Sequence, residues 1–165
     1  LLFVDADVGF EPAAAVALCQ AEPEIVMALY RMKCEGPVRY PALLCDPIER
    51  HPSDASLVRL HYGPAGFMRV RREVFDAMRE KWPDEYYENA GKERIYDYFP
   101  AGRVGTNFSG EDLQFCDRAK VCGFGIWAAQ NIPLWHSGER TWDSDWAIDV
   151  LQIDEARHGN IKVAA

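Results

Sequence analysis

The sequence predicts an α/β domain built on a mostly parallel mixed sheet flanked by helices. Three observations carry that reading. Leu1-Leu2-Phe3-Val4 is an uninterrupted apolar run of the kind required by a strand covered on both faces, and such strands belong to parallel sheets between helices. A helical segment at residues 13–20 is followed by a second apolar run at 25–30, a further strand of the same sheet. A later helix opening at Ser109 leads into another strand at 124–129. With 165 residues, 48% of them hydrophobic, the chain has enough apolar material for one domain with a real core.

Taken in order, Pro12 suits the first residue of the first helix, because the N–H it lacks is one that a helix start leaves unbonded. Val16, Ala17 and Cys19 give that helix an apolar side, and Pro23 ends it. Residues 36–52 are rich in proline, charge and turn formers, with only Ala42-Leu43-Leu44 apolar, which predicts an excursion holding one short segment. Residues 57–60 form another short strand. Tyr62-Gly63-Pro64-Ala65-Gly66-Phe67-Met68 is then a tight turn into an apolar step, and its two glycines around a proline predict backbone lying close against something. Arg71 or Arg72 opens a helix with Val74, Phe75 and Met78 at helical spacing, closed by Trp82-Pro83.

Residues 84–108 are aromatic and polar with little periodicity, a long irregular stretch whose tyrosines argue for order. Ser109-Gly110-Glu111-Asp112 has the form of a capping box with Ser109 as N-cap, while Leu113, Cys116 and Ala119 supply a buried stripe and Gly123 a C-cap. Ile132-Pro133-Leu134-Trp135 is a second extended piece that delivers His136, and Pro133 makes it an edge or irregular strand. The tail carries Trp142, Trp146, Ile148, Val150, Leu151 and Ile153, so part of it packs on the body.

Composition narrows the function. A net charge of -8, from 18 basic and 26 acidic residues, argues against nucleic acid or an anionic membrane surface as the main partner. Five cysteines without a CxxC pair or zinc-ligand spacing read as mostly buried thiols of a protein made in a reducing compartment, which points to the cytoplasm. No transmembrane stretch or signal peptide is visible. A doubly covered strand at the very start of the chain predicts a segment of a longer protein, with an amino-terminal part of the same protein as its neighbour.

The chemistry is concentrated where the first strand ends. Side chains alternate along a strand, so Asp5 and Asp7 are expected to point the same way at its carboxyl end, where open α/β sheets bind ligands. Adjacent carboxylates repel unless a proton or cation sits between them, and Mg²⁺ or Mn²⁺, carrying a di- or triphosphate, is the usual solution.

Four stretches in this order resemble the GT-A nucleotide-sugar glycosyltransferases, particularly the family-2-like group. They are Phe3-Val4-Asp5-Ala6-Asp7 for the DxD metal motif, Gly66-Phe67-Met68-Arg69-Val70-Arg71-Arg72 for the step under the acceptor site, Gly110-Glu111-Asp112-Leu113-Gln114-Phe115-Cys116-Asp117-Arg118-Ala119 for a helix carrying an acidic pair, and Leu134-Trp135-His136-Ser137-Gly138 for a late histidine. The resemblance implies a GT-A core segment over residues 1–140, incomplete at its amino terminus, with 141–165 as an extension packed on it. It implies a metal-dependent enzyme moving a sugar from a nucleoside-diphosphate sugar to a glycan or other hydroxyl acceptor, with inversion. Asp5, Asp7 and His136 would hold the metal, Asp5, Asp7 and Gly66 would meet the donor, and Asp112 would be the base, with Glu111 as its alternative or as an acceptor-orienting partner. Arg69, Arg71 and Arg72 read as a solvated helix start, and Arg118 as a partner of Asp117, Asp112 or a nearby loop. Another metal-dependent nucleotide transferase and a non-catalytic carbohydrate-binding or scaffold segment are the competing classes.

Overall fold

A computed structural model describes residues 1–138 and the backbone of a strand at 141–144. The chain runs β1 (Leu2–Val4), β2 (Val8–Phe10), α1 (Pro12–Gln20), β3 (Ile25–Ala28), β4 (Leu43–Leu44), β5 (Arg50–His51) and β6 (Asp54–Tyr62). It continues through β7 (Phe67–Val70), α2 (Arg72–Lys81), β8 (Tyr86–Glu88), β9 (Arg94–Tyr96), β10 (Gly102–Val104) and β11 (Asn107–Ser109). Last come α3 (Glu111–Val121), β12 (Ile126–Ala129), β13 (Leu134–Ser137) and β14 (Thr141–Ser144).

The result is a mixed α/β fold. Its central sheet has the order β1-β7-β3-β12-β6-β4, with β5 also pairing β6. The expectation of a mostly parallel sheet fails here: β3 with β12 is parallel, and the other pairings of this sheet are antiparallel. Strands β1, β3 and β12 do run the same way, but β7 is interleaved antiparallel between β1 and β3. An apolar run reports burial on both faces, which a mixed sheet covered by helices on both sides imposes as fully as a parallel one, so the inserted strand could not be read from it. β1 is also less covered than expected. It ends the strand order, with Leu1 75% and Val4 42% exposed.

Strand alternation divides the core in two. On one face Ile25, Met27, Met68, Val70, Ile126 and Ala128 pack with α2 and α3 residues Val74, Met78, Phe115, Cys116 and Ala119. On the other, Val26, Ala28, Phe67, Trp127 and Ala129 pack with Ala14 and Leu18 of α1 and with Val8 and Leu134. The helices therefore lie on both faces, as a sheet with two apolar sides demands. α1 begins at Pro12 as anticipated, and Gly123 follows α3 with φ +92°, the left-handed conformation that ends a helix at low steric cost.

Several local readings change. α3 has Gly110 as N-cap with no side-chain cap bond, and Ser109 is instead the last residue of β11, so the capping box does not form. The stretch 84–108 contains two hairpins, β8 with β9 and β10 with β11, whose three-residue strands are too short to show periodicity. β13 is the middle strand of a second sheet, β14-β13-β2, and Pro133 lies just before it rather than at an edge. β14 pairs with β13, so this sheet crosses the expected boundary at residue 140; residues 139–140 and 145–165 lie outside the described residues. All five cysteines are free thiols, of which Cys45 and Cys116 are buried, Cys34 and Cys122 half-buried and Cys19 exposed. Among the described residues no helix is long and apolar enough to cross a membrane.

Arg69 departs most from expectation. It is 5% exposed, and its guanidinium donates to the carbonyls of Leu18 (3.2 Å), Glu24 (3.0 Å) and Ala21 (2.6 Å). A helix end leaves carbonyls without intrahelical partners, and a buried planar cation satisfies them while meeting the negative end of the helix dipole. Arg69 thus ties α1 to β7. Replacing it with alanine should cost about 3 kcal/mol, the value of hydrogen bonds to a charged group plus the carbonyls left unsatisfied. Thermal unfolding should then fall by roughly 6–12 °C for a domain of this size. A variant melting within two degrees of wild type would remove this role.

Candidate active site

The decisive local structure is β2, three residues that directly follow Asp7. β2 pairs antiparallel with β13, setting Val8 opposite His136 and Gly9 opposite Trp135. The Ser137 N–H extends the ladder by donating to the Asp7 carbonyl at 2.8 Å. Gly9 is required by this register, because a Cβ there would stand inside the Trp135 indole. Backbone pairing thus carries the late histidine to the early acidic motif.

The side chains meet accordingly. His136 Nε2 lies 3.5 Å from Asp7 Oδ2, and its Nδ1 is 2.9 Å from the Arg31 carbonyl oxygen. A carbonyl only accepts, so Nδ1 carries the hydrogen and, in the neutral ring, Nε2 presents its lone pair to a carboxylate oxygen. A proton or a cation between two such acceptors would relieve their mutual repulsion. The same Asp7 oxygen is paired with the Lys33 ammonium, whose hydrogen bond holds the Asp7 carboxyl below the ordinary carboxylate range.

Asp5 has a different neighbourhood. β1 stops at Val4, and Asp5 begins a turn in which its carbonyl accepts the Val8 N–H at 3.1 Å, so strand alternation does not extend to Asp7. Asp5 lies instead against Gly66: its N–H donates to the Gly66 carbonyl at 2.9 Å, and a Cβ on Gly66 would meet both the Asp5 carboxylate and the Tyr30 hydroxyl. Among the described residues no group of three or more His, Cys, Asp and Glu side chains is gathered to hold a metal ion. The expected trio is represented by the Asp7–His136 pair, with Asp5 in the adjoining cleft.

That cleft, about 250 Å³, is lined by Phe3, Asp5, Ala65, Gly66, Phe99, Glu111 and Asp112. Asp112, at the second position of α3, is partly buried, and burial pushes its carboxyl up, with the charges of Glu111 and Asp5 adding to the effect against a hydrogen bond from the Ala65 backbone. Glu111 is exposed at the rim. Tyr30 closes the space between Asp5 and His136, its ring edge-on to the imidazole at 4.7 Å. Burial pushes its phenol far up, and the carboxylates of Asp5, Asp112 and Asp7 push the same way, so the hydroxyl stays protonated. A larger cavity of about 500 Å³, walled by Leu1, Phe75, Tyr98 and Arg72 among others, shares Phe3 and Phe99 with the cleft.

Of the remaining candidates, Arg118 serves a neighbouring loop, donating to the Asp97 carbonyl at 2.8 Å and pairing with Glu85. Tyr86, Tyr96 and Tyr98 form a ring ladder with Arg94 and Arg79 stacked on it, which fixes the first hairpin against α2. Tyr30 and Lys33 were not anticipated. Tyr30 sits just past the end of β3, a strand parallel in direction to β1, and that end-of-strand position was the available signal. The chain matches no protein-family model, and no curated protein matches it in sequence.

Two outcomes follow from this packing. Gly66→Ala should displace Asp5 or Tyr30 and lower stability by about 1–3 kcal/mol, the range for overpacking a filled site; a melting temperature equal to wild type would show that the contact yields freely. Because the folded carboxyl of Asp112 titrates above its unfolded value, its contribution is fully present below about pH 4 and is lost as pH rises through the raised folded value. Asp112→Asn should therefore gain stability relative to wild type on going from pH 3.5 to pH 7 in urea unfolding. A difference between the two proteins that does not change with pH would contradict the burial argument.

Proposed function

We propose that this chain is the metal and acceptor side of a GT-A type glycosyltransferase, moving a sugar from a nucleoside-diphosphate sugar to an acceptor hydroxyl with inversion. The observation that carries it is the Asp7–His136 approach, with His136 anchored through its other nitrogen, beside a cleft that holds a carboxyl of raised proton affinity. A ring nitrogen oriented by a backbone carbonyl is the arrangement found behind metal-binding histidines. One carboxylate and one imidazole suit Mn²⁺ or Mg²⁺, hard ions that keep further positions for water and phosphate oxygens. Asp7 and His136 would hold the ion, and when bound it supplies Lewis-acid stabilisation of the negative charge on the departing diphosphate.

The rest of the chemistry falls to the chain itself. Asp112 accepts the proton of the attacking hydroxyl; partial burial brings its proton affinity toward the working range without excluding the acceptor from the cleft. Gly66 forms the floor, and the absence of a side chain there leaves Asp5 and the Tyr30 hydroxyl in reach of the donor. Tyr30 stays protonated, and its hydroxyl oxygen takes a hydrogen bond from the Gly66 backbone. Glu111, exposed at the rim, orients the acceptor. One base on one side of the cleft matches a single displacement, hence inversion.

The test is a transfer assay with a panel of sugar nucleotides, with and without Mn²⁺, alongside Mn²⁺ binding followed by the paramagnetic resonance of the free ion. Asp112→Asn should lower turnover by about 10²–10⁴-fold, the usual value of a general base, while Mn²⁺ binding persists. His136→Ala and Asp7→Asn should weaken Mn²⁺ binding by about 10-fold or more, the scale of losing a ligand or its support. Undiminished transfer by Asp112→Asn removes the base, and Mn²⁺ binding indifferent to Asp7 and His136 removes the metal site.

A further inference from the structure

Lys33 has no place in the reading above, yet its ammonium is seated on the oxygen that the metal would need. Lys33 Nζ and His136 Nε2 both contact Asp7 Oδ2. The backbone around Lys33 is held independently of that contact. The Arg31 carbonyl accepts from His136 Nδ1 at 2.9 Å, the Met32 N–H donates to the Arg39 carbonyl at 2.8 Å, and the Cys34 N–H donates to the Met32 carbonyl at 2.9 Å. The Lys33 side chain can therefore leave Asp7 without carrying the chain segment with it.

We infer that Lys33 is a displaceable tethered cation: it neutralises Asp7 until a divalent ion takes that carboxylate, and it then binds the diphosphate of the donor. The inference rests on the metal reading and deepens it. A divalent ion at Asp7 Oδ2 would compete with the Lys33 ammonium for that oxygen, because the two positive charges repel. The ammonium yields readily. The Lys33 and Asp7 side chains are 32% and 47% exposed, and an ion pair so placed is weakly held because water screens it. Once released, Lys33 remains within the length of its own four-carbon stem of whatever Asp7 holds. A diphosphate on the ion brings negative charge there, and lysine binds phosphate well as a mobile point charge. Displacement thus converts a competitor for the metal into a contact for the metal's ligand.

The two halves predict opposite signs for one substitution. In Mn²⁺ titrations of the full chain, Lys33→Met should bind Mn²⁺ about three- to tenfold more tightly than wild type, since a weakly held competing cation is gone. With Mn²⁺ saturating, Lys33→Met should bind inorganic pyrophosphate about tenfold more weakly, and Lys33→Arg should restore most of that affinity while still competing with Mn²⁺. Asp7→Asn is the control. If Asp7→Asn weakens Mn²⁺ binding but Lys33→Met leaves it unchanged, the competition is overturned and the metal site stands. If Lys33→Met tightens Mn²⁺ binding but leaves pyrophosphate affinity unaltered, the diphosphate contact is overturned alone. Mn²⁺ binding that Asp7→Asn does not affect, or that no variant shows, removes the metal reading and the role of Lys33 with it.

Discussion

Everything distinctive about this site depends on one short ladder, β2 against β13. The central sheet positions Asp5, and the helix α3 positions Asp112, but neither brings a histidine from the end of the described chain to an aspartate near its start. The ladder does so with backbone hydrogen bonds, which fix the register and hence the side on which His136 emerges. A slip of one residue would turn the imidazole to the other face and set Trp135 beside Asp7. Gly9 makes the present register possible, because a side chain there would collide with the Trp135 indole. The Ser137 N–H on the Asp7 carbonyl ties the last residue of β13 to the motif itself.

The interleaved strand β7 has a comparable consequence. In a parallel sheet the ligand end receives only the carboxyl ends of strands. Here β1 and β3 deliver Asp5 and Tyr30 in that way, while antiparallel β7 delivers its entry turn, Gly63 to Gly66. A turn offers bare backbone where a strand exit offers side chains, and the cleft floor is made of Ala65 and Gly66. At the opposite end of the same strand Arg69 donates to carbonyls of the α1 end and of the segment that follows it. One four-residue strand, wholly buried, thus builds the cleft floor at one end and anchors a helix at the other.

Much of this was legible in the residues, and the failures have physical causes. Long apolar runs announced β3 and β12, and Val74, Phe75 and Met78 announced α2, because burial on a regular element imposes a period. Asp5, Gly66, Glu111 and Asp112 were named from the sequence, and the cleft gathers them. Strand direction was not legible, since helices cover both faces of this mixed sheet and give its antiparallel strand β7 the same continuous burial as a parallel one. Val8-Gly9-Phe10 reads as a turn, as a three-residue strand containing glycine must, so the ladder that joins Asp7 to His136 was invisible. Arg69 looked like surface because a charged residue is buried only when its partners are in place, and those partners are backbone carbonyls that no sequence pattern displays. Lys33 lies in an irregular segment with nothing in its neighbours to mark it.

Two carboxylates at this end of the sheet, Asp7 and Asp112, are pushed in opposite directions by their surroundings. Lys33 holds Asp7 ionised through a hydrogen bond, whereas burial and the charges of Glu111 and Asp5 raise Asp112. Divergent environments on neighbouring acids are what separates a charge-holding role from a proton-transferring one. Tyr30 sits beside both, its ring against His136 and its hydroxyl near Gly66 and Asp5, and burial together with the surrounding carboxylates keeps it protonated, so the group between them is neutral. An ionised phenol there would add a negative charge beside both Asp7 and Asp112 and raise the proton affinity of each. A neutral one leaves the direction of each shift to Lys33 on one side and to burial on the other.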